Sequence, residues 1–274
     1  MSDRVLLMTS CNRIKQTLFA LTVDSYVINK PFHVVISDGS SLGKTWEQEK
    51  QCHQYWNDEV FEKNYCADIT LFNDYLASLP NIISYRLIHS SPKIPKQIGE
   101  ATLLNLGIAQ ASTLTKDPIC IKTNGVVMLK YDLFEDIESM LKLNSKDVYV
   151  FGRTNAMDQI STRVFGFRGN SLSQAIIKSS WDGWYEYESA KLENSGVISN
   201  WMEFKMRDTL QNHLGFDKVY HTEKDESGVL LDRGSVHNYK NILEYRSIIE
   251  SHIDAYKIPK DNSLIKEFLE GGIW

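Results

Sequence analysis

The chain opens on RVLLMT (4–9), a nearly unbroken apolar run, and runs of the same kind return at FHVVIS (32–37), ADITLF (67–72), IISYRLIH (82–89) and PICIKT (118–123). Short apolar runs rich in branched residues predict strands covered on both faces. Between them the period lengthens. IKQTLFALTVDSYVI and GEATLLNLGIAQAST place apolar residues at helical spacing, and a polar, aromatic-rich helix is expected from about Thr45 to Tyr65. Strands alternating with helices predict an α/β fold with a mostly parallel central sheet flanked by helices.

Beyond residue 125 the alternation weakens. YDLFEDIESMLKL predicts an amphipathic helix, DVYVFG (147–152) and TRVFGFR (162–168) predict strands, and VISNWMEFKMRDTLQNHLG predicts a helix ending at Gly215. The last stretch holds FDKVYH, a glycine-containing loop ESGVLLDRGSVHNYK (226–240) and a helix at NILEYRSIIESHI. No internal repeat, low-complexity segment or long linker interrupts the chain, so one domain with a C-terminal extension is expected.

Composition narrows the function classes. The 274 residues are 42% hydrophobic and 24% charged, with a formal net charge of −5, as in ordinary globular enzymes. No basic stripe marks a nucleic-acid partner. No apolar stretch approaches the roughly 20 residues that span a bilayer, and the N-terminal run lacks a basic leader and a cleavage site. The cysteines, Cys11, Cys52, Cys66 and Cys120, are scattered without metal spacing. A cytoplasmic protein with reduced thiols and no structural zinc is expected.

The stretch SDGSSLGKT (37–45) approaches the phosphate-loop pattern at Gly43-Lys44-Thr45, but Asp38 stands where the first glycine belongs. A carboxylate there faces phosphates instead of cradling them. A kinase or NTPase using Lys44 remains an alternative. Asp38 closes a strand at the sheet edge where α/β proteins bind nucleotides. It can accept hydrogen bonds from a base or ribose, or it can simply start an Asx turn.

Neighbouring motifs extend that reading. MTSCNR (8–13), the acidic turn SDGSS (37–41), the helix ATLLNLGIAQA (101–111) and the strand ICIKTNGVVML (119–129) follow one another in an order that resembles family 2-like GT-A glycosyltransferases. The resemblance covers roughly residues 4 to 130. It implies that Thr9, Asn12 and Arg13 line a nucleotide pocket, that Asp38 contacts the base or ribose, and that the helix of Asn105 and Gly107 packs beneath the diphosphate and donor sugar. Bland readings of the same residues are a solvated Arg13, a helix-start Asn12 and a tolerated Gly107. By resemblance, residues 1–215 form a GT-A catalytic domain, with 1–125 the nucleotide-sugar-binding half and 126–215 the acceptor half. Residues 216–274 form a C-terminal loop and helical extension of it.

The family's metal-binding Asp-x-Asp is degenerate here, replaced by Lys122-Thr123-Asn124. Three arrangements are open. Mn2+ or Mg2+ is held by the diphosphate with Asn124 and a distant ligand, for which His237 is the candidate and Arg233 a companion on the diphosphate. Lys122 or another cation replaces the metal. Or the site binds a nucleotide sugar without turnover. His237 could equally be an exposed loop histidine.

On the acceptor side, Glu203 aligns with the family's Glu near a helix start, and Asp158 in NAMDQIST is the second candidate for general base. Glu203 also fits a solvent-facing helix position. Trp181, Trp184, Tyr185 and Tyr187 form an aromatic cluster that suits a sugar subsite, a core or a dimer contact. The expected activity is hexosyl or pentosyl transfer from a nucleotide-diphosphate sugar to a carbohydrate acceptor in polysaccharide or glycan biosynthesis.

Overall fold

Among the described residues, seven strands make one sheet in the order β3-β2-β1-β4-β6-β5-β7. They are β1 (Arg4–Ser10), β2 (Phe32–Asp38), β3 (Ile82–His89), β4 (Ile119–Asn124), β5 (Val148–Gly152), β6 (Ile160–Arg168) and β7 (Val219–Thr222). The computed structural model describes residues 2–10, 14–39, 74–89, 96–125, 127–143, 145–152, 160–178, 201–222, 230 and 246–271. The expected helix at 45–65 and strand at 67–72 lie outside the described residues.

The α/β architecture expected from strand–helix alternation is the one observed. β3, β2, β1 and β4 are mutually parallel, β6 is antiparallel to both β4 and β5, and β5 runs parallel to β7. Every residue of β1 and β2 is buried, which explains their continuous apolar runs. Among the described strands β3 lies at one edge of the sheet, and there Ile83 is exposed.

Helices cover both faces. On one lie α1 (Ile14–Val27), α3 (Leu133–Leu143), α6 (Arg246–Ala255) and α7 (Ser263–Leu269), whose apolar residues share a core with Leu6, Met8, Val34 and Ile36. On the other, α2 (Lys96–Leu114), α4 (Gly169–Lys178) and α5 (Trp201–Thr209) pack on Val5, Leu7, Val35 and Cys120. A π-helical turn, Leu210–Leu214, continues α5 to Gly215, as the sequence predicted. Burial pushes the Cys120 thiol pKa well up, with Asp117 adding to it, so this cysteine behaves as a small core residue.

α1 is buried on nearly all sides because α6 and α7 cover its outer face. Phe19 meets Phe268 with ring centroids 4.8 Å apart, and Lys15 Nζ donates to Glu267 Oε1 at 2.5 Å. The C-terminal helices therefore complete the first core instead of forming one of their own. Among the described residues, no helix is long and apolar enough to cross a membrane.

Candidate functional site

Two neighbours flank β1, with β2 leading to β3 on one side and β4 on the other. The order of connection reverses between β1 and β4, and the carboxyl ends of α/β strands open a ligand crevice at such a point. Register brings three motifs of the sequence together there. Thr9 lies opposite Asn124 and Ser10 opposite Asp38. Pairing continues past the strand ends, with Gly39 N donating to Ser10 O at 2.8 Å and Gly125 N to Thr9 O at 2.7 Å.

The pleat divides these residues between two faces. On the α2 face, Lys122 Nζ donates to Glu100 Oε1 at 2.8 Å and also to Asn124 Oδ1. Thr9 Oγ1 lies 3.3 Å from the same amide oxygen and 3.5 Å from Thr123 O. Lys122 is fully buried, and Glu100 is 21% exposed. The result is a cation set into a polar cluster at the end of the sheet, held between β4 and the first turns of α2.

Ser10 and Asp38 belong to the α1 face. Thr17 Oγ1 donates to Ser10 Oγ at 3.0 Å, tying the start of α1 to the end of β1. The Asp38 side chain is fully buried, and its Oδ2 stands 3.9 Å from His89 Nε2 at the end of β3. Asp38 and Lys122 thus approach the crevice from opposite faces of the sheet.

Two glycines permit close approaches near this rim. A Cβ on Gly125 would lie 2.2 Å from Thr17 Oγ1, and one on Gly107 would lie 2.8 Å from Leu7 Cδ1 and 2.9 Å from Ser37 Oγ. Gly107 therefore lets α2 pack directly against β1 and β2. Asn105 is turned elsewhere. It lines a groove of about 310 Å3 with Ile108, Ala109, Ser173, Ile176 and Ile177, where α2 meets α4. Its buried Oδ1 has no hydrogen-bond partner among the described residues.

Of the residues singled out in the sequence, the structure brings Thr9, Lys122 and Asn124 into contact and sets Asp38 beside them across the sheet. It places Asn105 farther along α2, more than one helical turn beyond Glu100. Asn12, Arg13, Asp158, Arg233 and His237 lie outside the described residues, as do Lys44 and the aromatic cluster at 181–187. Glu203 falls in α5 beside the buried Met202, and its side chain is likewise outside the description.

The sequence reading missed Glu100 and His89. Glu100 sits early in the helix that precedes β4, where a partner for a buried strand lysine could be sought. His89 is the last residue of IISYRLIH and lies in register with Asp38.

The fold thus defines an α/β protein with a buried polar cluster at the carboxyl ends of β1, β2 and β4. No protein-family model matches the chain, and no curated protein matches it. Solved structures of glycosyltransferases with the GT-A fold do match, over nearly the whole chain. Residues 1–349 of S. aureus TarS superpose with a TM-score of 0.44 at 10% identity, covering 97% of this chain and 70% of that one. The glycosyltransferase GlyE of Streptococcus pneumoniae TIGR4 gives 0.41 at 12% identity, covering 96% and 54%. The mannosyltransferase PcManGT from Pyrobaculum calidifontis, in complex with GDP-Man and Mn2+, gives 0.44 at 8% identity, covering 91% and 64%. At such identities the likeness concerns the course of the chain and not its chemistry.

Proposed function

We propose that the chain is a cytoplasmic glycosyltransferase of polysaccharide or glycan biosynthesis. It moves a hexosyl or pentosyl group from a nucleotide-diphosphate sugar to a hydroxyl of a saccharide or glycoconjugate. The observation that carries this reading is the meeting of Thr9, Lys122 and Asn124 at the carboxyl ends of β1 and β4. They come from MTSCNR and ICIKTN, two of the segments whose order along the chain resembles the family. Asp38, from the acidic turn, closes the neighbouring strand.

In the reaction, the acceptor oxygen forms a bond to the anomeric carbon while the bond to the diphosphate oxygen breaks. The leaving diphosphate takes the electron pair. The acceptor's proton passes to a general base, a role we assign to Glu203 first and Asp158 second. Asn12, Arg13, Asp38 and Arg233 are assigned to the donor nucleotide, Asn105 to the helix beneath it, and the aromatic residues at 181–187 to the acceptor.

Thermal shift with UDP, GDP, CDP, dTDP and ATP tests the reading, because a ligand of the folded state raises its stability by mass action. A shift from one nucleoside diphosphate, reduced in Asp38→Ala, is expected. A shift from ATP alone that disappears in Lys44→Ala would refute the proposal in favour of a phosphate loop. Diphosphate binding without product from any donor and acceptor would reduce the protein to a binding module.

A further inference from the structure

The glycosyltransferase resemblance implies a divalent cation at the position of Asn124, and the described residues there do not fit one. Mn2+ and Mg2+ take oxygen ligands, carboxylates above all. Among the described residues, no group of three His, Cys, Asp or Glu is placed to hold a metal. The strand-end oxygen that would serve is Asn124 Oδ1, and an amide oxygen has two acceptor positions. Lys122 Nζ and Thr9 Oγ1 both approach it. The neighbouring carboxylate, Glu100, is engaged by the same ammonium. A divalent cation at Asn124 would stand against the Lys122 charge and would have to displace it.

We infer that the Lys122 ammonium, positioned by Glu100 and Asn124, supplies the positive charge that holds the ligand's diphosphate, so that nucleoside diphosphate binding needs no divalent metal. This rests on the nucleotide-sugar reading above and deepens it. The geometry suits the task in two respects. The charge lies near the carboxyl end of β4 beside β1, and it is fully buried, where low-dielectric surroundings screen it far less than water does. Glu100 compensates it in the unliganded protein, which makes a buried lysine tolerable there. Glu100 acts through Lys122 and is a positioning residue.

The experiment is titration calorimetry with UDP, GDP, CDP and dTDP, each in EDTA and again with Mn2+. The best binder is then compared with its parent nucleoside. The expected result is equal affinity in the two conditions. Lys122→Met should weaken the diphosphate about tenfold or more, the worth of a hydrogen bond to a charged group, while the nucleoside is unaffected. Because Lys122→Met leaves Glu100 alone in a largely buried place, the double variant Lys122→Met/Glu100→Gln, which removes both charges, is measured beside it.

Diphosphate binding only with Mn2+ overturns the inference and leaves the glycosyltransferase reading standing. So does a folded double variant whose preference for diphosphate over nucleoside equals that of the wild type, since the ion pair would then serve only to fasten α2 to β4. No diphosphate binding in either condition overturns both.

Discussion

Asp24 in the last turn of α1 has no exposed surface. Its Oδ1 accepts from Leu129 N at 2.7 Å, and its Oδ2 has no hydrogen-bond partner among the described residues. Burial dominates over that one hydrogen bond and pushes the carboxyl up to about 8 from its ordinary 3.8. Above about pH 4 the unfolded chain carries a carboxylate there, while the folded protein keeps its proton until about pH 8. The folded state therefore binds more protons across this window, and stability falls as pH rises, by about 1.4 kcal/mol per pH unit. Over the whole window the loss reaches roughly 6 kcal/mol, which rivals the net stability of an ordinary domain, about 5–15 kcal/mol.

Asp24→Asn isolates this effect. Asparagine copies the shape of the protonated acid and keeps an oxygen for Leu129 N. Two histidines complicate the acid side. Burial lowers the pKa of His33 and of His252 below the usual 6.5, so both add stability that is lost as pH falls through their folded values. Both proteins carry these histidines, so their slope cancels in the comparison. Urea denaturation from about pH 6.5 to about pH 8 should therefore show the wild type losing about 1.4 kcal/mol per unit relative to Asp24→Asn. With an m-value of about 3 kcal/mol/M, that is a midpoint shift of roughly 0.5 M urea per pH unit. Parallel curves for the two proteins would mean that Asp24 titrates alike folded and unfolded, and the account of its burial would be wrong.

The other stability predictions concern the packing around the crevice and the far end of the sheet. Arg4 is 3% exposed and donates to Asp132 at 3.1 Å and to Glu138 at 2.6 Å. Arg4→Met leaves those carboxylates without their cation and should cost about 3–5 kcal/mol, read as a lower thermal midpoint; an unchanged midpoint refutes it. At Gly107, an added Cβ meets Leu7 and Ser37 below 3.0 Å. Overpacking costs about 1–3 kcal/mol and the helix gains about 1 kcal/mol from alanine, so Gly107→Ala should destabilise on balance in urea denaturation. A stabilised variant would show that α2 can retreat from the sheet freely.

The elements that were easy to read share a physical cause. β1, β2 and β4 are covered on both faces, so their burial writes continuous apolar runs into the sequence. β7 has four residues and pairs with β5 alone, and FDKVYH carries little pattern to announce it. α4 starts directly where β6 stops, without a turn signal between them. α7 did carry a local mark, since Asn262 Oδ1 accepts from Leu264 N and Ile265 N as an N-cap, yet its seven residues are too few to show a period. The burial of Asp24 could not be read locally at all, because the group it meets, Leu129 N, lies 105 residues further along the chain.

The site follows the same division. Lys122 and Asn124 were singled out because they stand where the resembled family carries its Asp-x-Asp, and Asp38 because it closes an apolar run. Glu100 was not, since its meeting with Lys122 depends on how α2 lies against β4. The separation of Asp38 from Lys122 was within reach. Val34 and Ile36 precede Asp38 at intervals of two, and both belong to the core under α1. Cys120 precedes Lys122 by two and belongs to the core under α2. Period two alone therefore assigns the acidic turn and the lysine to opposite faces once each core is known. A ligand that uses both must pass over the rim of the sheet, where β1 ends between them.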